Sequence, residues 1–242
     1  MKPLTVAIIQ ARNGSTRLPG KVMRCVNERP MVIWVVDRVR AATLVDEVVV
    51  ATTVDAQDDA MAEMLSDSGV RVLRGSTHDV LDRYYVAARQ VSVENIVRIT
   101  ADCPLIDARV IDDVVGLFLK SGSDYTCNIM SRTYPDGQDV EVFSFGSLER
   151  AWQEAKTPRE REHVTIYFRE HPEFFKISNL KYEHEWGHMR WTLDYAEDFA
   201  MIEEVFRAFK GRELEVSMEE IAAFLQKNPQ VCALNRKYAV QG

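Results

Sequence analysis

The sequence has only four cysteines, no long apolar run, and no acidic residue before Glu28, and each lack excludes something. Cys25, Cys103, Cys127 and Cys232 show no CxxC spacing, which argues against a disulfide framework or a thiolate zinc site and leaves reduced thiols. The apolar stretch VAIIQA is cut off by Arg12, far short of the ~20 residues that span a bilayer, so neither a signal peptide nor a transmembrane helix is expected and the protein reads as cytoplasmic. No Gly-, Ser- or Pro-rich linker and no internal repeat divides the chain. Its 242 residues, 46% of them hydrophobic, are therefore expected to form a single domain over 1–242. The net charge of −7 sets the bulk surface against nucleic acid and anionic lipid, so any anion must bind at a local positive site.

What is present alternates. Runs rich in β-branched residues at 5–9, 47–53, 70–73 and 95–100 read as strands, and the stretches 30–42, 55–69, 78–91 and 107–122 carry apolar residues at helical spacing. Asp55, Asp107 and Ser76 or Thr77 are positioned to cap these helices, and Gly69 and Gly122 to end them. Such a sequence implies an α/β fold, a mostly parallel doubly wound sheet covered on both faces, with ligands at the carboxyl ends of its strands. Beyond about residue 124 the pattern is less regular: a turn-rich segment at 133–143, then helices expected at 146–155, 159–170, 195–209 and 217–227. This half reads as an elaboration for substrate binding or dimerisation.

Directly after the first strand, Gln10 to Lys21 holds Arg12, Arg17 and Lys21, two glycines and two hydroxyls. Lys2 and Arg24 extend the basic character. Glycines such as Gly14 let backbone N–H groups approach phosphate oxygens, and Arg and Lys add charge-assisted hydrogen bonds, so the segment suits a polyphosphate. It is not a Walker loop, since Val22 follows Lys21, and it is not GxGxxG.

Asp102 ends the strand NIVRIT, where it can serve a ligand site or cap a helix; Asp194 ends the short run RWTL. After the Asp136-Gly137 turn, alternation puts Asp139 and Glu141 on one strand face, suited to sugar hydroxyls or to solvent. Arg159 and His163 lie on an expected helix. His184-Glu185-Trp186-Gly187-His188 matches HExxH literally, but Gly187 and the charged neighbours leave it no stable helix with an apolar face, so a zinc protease is a remote alternative.

Four blocks, the Gln10–Lys21 loop, RITADCPLID at 98–107, YPDGQDVEVF at 134–143 and RWTLDYAEDF at 190–199, occur in one order. Together they resemble the sugar-acid cytidylyltransferases, in the branch typified by spore-coat polysaccharide biosynthesis protein F. The resemblance covers residue 4 to about 205. It implies transfer from CTP to a sugar acid, giving a CMP-sugar and pyrophosphate, by a homodimer. It assigns Mg²⁺ to Asp102 and Asp194, catalysis to Arg12, Arg17, Lys21 and Asp102, and nucleotide contacts to Ala11, Arg12, Asn13, Gly14, Arg17, Lys21, Thr100 and Ala101. Asp139 and Glu141 become sugar contacts by the same route, while Arg159 and His163 belong to a characteristic segment whose role it does not fix. Many relatives carry Gly where this chain has Ala101, and a positive φ there would be strained. A nucleotide-sugar-dependent glycosyltransferase is the main competing reading; it would release no pyrophosphate. A non-catalytic nucleotide or sugar sensor fits less well, because the set of phosphate and metal residues is complete.

Overall fold

A computed structural model describes residues 3–239, so Lys2 lies outside the described residues. In chain order the strands are β1 (Thr5–Gln10), β2 (Cys25–Val26), β3 (Arg29–Pro30), β4 (Glu47–Thr53), β5 (Arg71–Gly75), β6 (Asn95–Thr100), β7 (Tyr125–Cys127), β8 (Glu141–Ser144) and β9 (Ile177–Asn179). The α-helices are α1 (Met31–Arg40), α2 (Asp59–Asp67), α3 (Val80–Val91), α4 (Ala108–Ser121), α5 (Phe145–Glu154), α6 (Pro158–Glu162), α7 (Ile166–Glu170), α8 (Ala196–Ala208), α9 (Met218–Lys227) and α10 (Pro229–Cys232).

Seven strands form one sheet in the order β5-β4-β1-β6-β8-β7-β9. β5, β4, β1 and β6 run parallel, β8 is antiparallel to both β6 and β7, and β7 pairs in parallel with β9. The inner parallel strands are largely apolar because helices cover both faces, with Arg98 in β6 an exception, while the edge strand β5 is more exposed. The two-residue period sorts their side chains: Ala7, Ile9, Val48, Val50, Val97 and Ile99 enter the core under α1, α4, α8 and α9. Val6, Ile8, Val49, Ala51 and Ile96 enter the core under α3, α5 and α7. Each fully buried Val or Ile contributes about 1.5–3 kcal/mol relative to exposure, which fixes the register of these strands.

From β1 the chain winds outward through β4 to β5, then returns to place β6 on the other side of β1. The reversal between β1 and β6 opens a crevice beyond their carboxyl ends, where the connecting helices leave in opposite directions. Both the basic loop and Asp102 leave the sheet at that point.

Helix ends mostly follow the residues available to cap them. Asp107 accepts Arg109 N–H at 2.9 Å and also Met218 N–H at 2.7 Å, joining the start of α4 to that of α9. Gly122 closes α4 with φ of 59°. Three expectations are corrected. Asp79, not Ser76 or Thr77, caps α3 by accepting Asp82 N–H at 2.8 Å, while Ser76 Oγ accepts Asp79 N–H. Asp55 precedes only a single 3₁₀ turn and its side chain makes no cap bond. The helix expected at 159–170 is broken into α6 and α7, because Val164 is fully buried at φ of 38°, a left-handed conformation no helix contains.

Candidate active site

The loop after β1 is pinned from beneath. Leu18 is buried, Asn13 N–H donates to Asp58 Oδ1 at 2.7 Å, and Asn13 Nδ2 donates to the Gln57 carbonyl at 3.0 Å. Gly20, at φ of 66°, turns the chain into the 3₁₀ turn that starts at Lys21. The anchored loop forms one wall of a cavity of about 370 Å³. That wall presents Ala11, Arg12, Gly14, Ser15, Thr16, Arg17 and Lys21. Thr100, Ala101 and Asp102 line the cavity from the end of β6, and Asp194, Glu162 and His163 from the second half. Ala101 has ordinary negative φ, so the residue change there introduces no strain.

Asp102 and Asp194 meet across this cavity. Leu193 N–H donates to the Asp102 carbonyl at 2.8 Å and Thr192 Oγ1 to the same oxygen at 3.2 Å, which ties the chain before α8 to the end of β6. The Lys21 ammonium then bridges the two carboxylates, 2.7 Å from Asp102 Oδ2 and 2.9 Å from Asp194 Oδ1. Burial opposes charge on Lys21, but the two carboxylates more than offset it and raise its pKa. Burial likewise opposes charge on Asp102, yet Lys21 holds its carboxyl below the usual aspartate range. The cap of α4 is Asp107, so helix capping is not what occupies Asp102.

Asp194 also accepts from Arg17 at 2.9 Å and from Arg190 at 3.2 Å. Arg190, with only 9% of its side chain exposed, further bonds Asp136 at 3.0 Å and both oxygens of Asp198 at 2.9 Å. Asp198 is fully buried and accepts the N–H groups of Asp194 and Tyr195 at 2.9 Å. It therefore shapes the backbone that carries Asp194.

The cavity floor was less visible in the sequence. Arg98, a cation inside an otherwise apolar strand, lines the cavity, donates to Gln10 Oε1 at 3.1 Å and is paired closely with Glu141. The Glu141 carboxylate also accepts from Tyr125 OH at 2.6 Å and is 2% exposed. Burial opposes its charge; Arg98, Thr165 and Tyr125 outweigh that and lower its pKa. Glu141 is thus committed beneath the cavity, a correction to its expected contact with sugar hydroxyls. Asp139 lies just before β8 rather than on it, with both oxygens on Arg132 at 2.9 and 3.0 Å, outside the cavity lining. Arg159 is turned outward and paired with Glu170, whereas His163 lines the cavity. Asn13 supports the loop without lining the cavity. Arg83, another lining residue, gave no sequence signal beyond its charge.

The segment 184–188 is not helical: Trp186 N–H donates to the Thr133 carbonyl at 2.9 Å, and a Cβ on Gly187 would strike the Arg132 carbonyl. Its two histidines do not share a helix face. Among the described residues no three His, Cys, Asp or Glu side chains gather as a metal site. The zinc-protease alternative has no geometric support.

Comparison with known proteins places the chain. The spore coat polysaccharide biosynthesis protein SpsF of Bacillus subtilis is 32% identical over 228 residues, 92% of this chain and 94% of that protein. A 3-deoxy-manno-octulosonate cytidylyltransferase of Geobacter metallireducens is 36% identical over 128 residues, 52% of this chain and 49% of that enzyme. A cytidylyltransferase structure from Leptospira borgpetersenii superposes with a TM-score of 0.90 at 34% identity, covering 94% of this chain and 96% of that one. Residues 6–233 match the family described as cytidylyltransferase, and with the basic loop and paired aspartates in place the chain belongs to that family.

Proposed function

We propose that the protein transfers the cytidylyl group of CTP to a hydroxyl of a sugar acid, in surface polysaccharide or glycoconjugate synthesis, with Mg²⁺ held by Asp102 and Asp194. The observation that carries this reading is the single cation, the Lys21 ammonium, lying between those two carboxylates beside the basic loop. Two hard oxygen donors sharing one cation suit Mg²⁺, which completes its shell with substrate phosphate oxygens and water and needs no third protein ligand. Held there by Asp102 and Asp194, Mg²⁺ would neutralise and polarise the α-phosphate.

The residues of the chain supply the rest. The sugar hydroxyl oxygen bonds to the α-phosphorus, the bond from that phosphorus to the α,β-bridging oxygen breaks, and pyrophosphate leaves; the hydroxyl proton passes to water. Arg12, Arg17 and Lys21 hold the triphosphate and stabilise the charge on the departing pyrophosphate, and no protein nucleophile is required. Gly14, Thr100, Ala101 and His163 all line the cavity; in this reading the first three meet the nucleotide and His163 the acceptor. The same reading takes the protein to be a cytoplasmic homodimer. Among the described residues no helix is long and apolar enough to cross a membrane. The second half exposes the large apolar side chains Met130 and Phe174, which suits a subunit contact.

The test is pyrophosphate release with CTP, ATP, GTP or UTP against a panel of sugar acids. CTP-dependent release requiring one acid is expected. Turnover of a nucleotide sugar without pyrophosphate would instead support the glycosyltransferase reading.

A further inference from the structure

Beside the phosphate loop stands a stack of two aromatic rings with a cation over each. Tyr195 and Tyr238 lie 3.7 Å apart between ring centroids at 5°. The Arg17 guanidinium carbon is 5.2 Å from the Tyr195 centroid, that of Arg190 is 5.9 Å away, and the Lys237 ammonium is 4.8 Å from the Tyr238 centroid. Neither tyrosine lines the cavity.

The stack is fixed at both ends. Tyr195 N–H donates to Asp198 Oδ2 at 2.9 Å. On the other side, Lys237 pairs with Glu197 at 2.7 Å and Tyr238 OH donates to Glu197 at 3.4 Å. Asn235 Nδ2 donates to the Arg190 carbonyl and to Asp198 Oδ1, both at 2.9 Å. The turn at 235–238 is therefore fastened to the same buried network that carries Asp194.

Arg17 needs such support. Its side chain is 53% exposed, and its carboxylate partner, Asp194, is shared with Lys21 and Arg190. Two guanidinium groups converging on one carboxylate repel each other, and a long side chain on an exposed loop loses rotamer freedom when held. The negative face of the Tyr195 ring, within reach of both guanidiniums, reduces that repulsion and favours one setting of Arg17.

We propose that Tyr238 is a positioning residue for Arg17: by stacking on Tyr195 it holds the ring against which the Arg17 guanidinium is set toward the triphosphate. This rests on the reading of Arg17 as a triphosphate contact. The test measures CTP affinity by calorimetry with Mg²⁺, alongside kcat and KM, for Tyr238→Ala, Tyr238→Phe, Arg17→Ala and the Arg17→Ala/Tyr238→Ala double variant. Losing one exposed cation–π setting corresponds to about a two- to five-fold weakening. Tyr238→Ala is expected to raise Kd and KM for CTP by that factor with a smaller change in kcat, Tyr238→Phe to restore both, and Tyr238→Ala to add nothing once Arg17 is gone. Tyr238→Leu, which keeps apolar volume without a ring, replaces the alanine variant if that variant is unfolded at the assay temperature. An unchanged Kd in Tyr238→Ala overturns the proposal, as does an equal loss with and without Arg17. If Arg17→Ala itself binds CTP normally, the triphosphate reading falls and this proposal with it. Normal weakening by Arg17→Ala with none from Tyr238→Ala overturns the positioning role alone.

Discussion

Replacing Lys21 by Met removes the ammonium that separates Asp102 from Asp194 while keeping most of the side-chain volume. In the wild type that side chain is 11% exposed and bonds both carboxylates, at 2.7 and 2.9 Å. Breaking a buried pair by deleting one partner typically costs about 3–5 kcal/mol. Here Asp194 retains Arg17 and Arg190, whereas Asp102 keeps no paired cation among the described residues, so a loss of about 2–3 kcal/mol is expected. For a chain of this size that lowers Tm by about 4–12 °C. The variant should regain part of the loss on adding Mg²⁺, because a dication then relieves the repulsion that the ammonium relieved before; the gain follows RT ln(1 + [Mg²⁺]/Kd). Differential scanning fluorimetry across a Mg²⁺ series, without nucleotide, gives the comparison. The variant should show the steeper rise in Tm. The sign with pH is also fixed. Asp102, held below its ordinary pKa by Lys21, contributes stability above its unfolded value that is lost only as pH falls through the lower folded value. In Lys21→Met the lowering by Lys21 is gone while burial still opposes the charge, so this acid-induced loss should shrink. An unchanged apo Tm, or equal Mg²⁺ responses in both proteins, would refute the shared-cation geometry.

Glu141→Gln should cost about 3–5 kcal/mol in urea unfolding, since it leaves the buried Arg98 without its counter-charge. Because the Glu141 pKa is lowered, the wild type should lose this contribution only below the ordinary glutamate value of about 4.3, and the variant should show no such step; an identical acid profile would count against the pairing. In Mg²⁺, CTP should raise Tm more than ATP or GTP at equal concentration, and equal shifts would remove the case for base selectivity. Light scattering at micromolar concentration should give twice the 27.7 kDa chain mass, and a monomer mass would reject the homodimer.

The parallel half of the fold was legible because its inner strands, buried on both faces, are mostly apolar and rich in β-branched residues; the expected bounds 47–53 and 95–100 coincide with β4 and β6. The loop and the end of β6 were legible because function there concentrates charge and glycine in one stretch. What failed was long-range. Nothing local distinguishes Glu141 as buried, since its partner Arg98 lies on the neighbouring strand, though a cation inside NIVRIT was a signal that it needed one. Val164 reads as one more apolar position in a helical pattern, and only its burial against the α3 side of the sheet holds it left-handed and splits the helix. Asp79 outcompetes Ser76 and Thr77 as a cap although all can serve. The dependence of Asp194 on Arg190, Asp198 and Asn235 spans segments that no spacing connects.

The central claim is that Asp102 and Asp194 act as one unit on a shared metal. Its most direct measurement is CTP-dependent pyrophosphate release, across a Mg²⁺ titration, for Asp102→Asn, Asp194→Asn and the double variant. Each substitution keeps size and some hydrogen bonding but removes a charge that, in the proposed reaction, would hold the ion against the triphosphate. Each single variant should lose most turnover with the fold retained, and the double variant should be little worse than either, as for residues acting together on one centre. Near-normal release by either single variant at limiting Mg²⁺, or losses that multiply in the double variant, would contradict the shared-metal account.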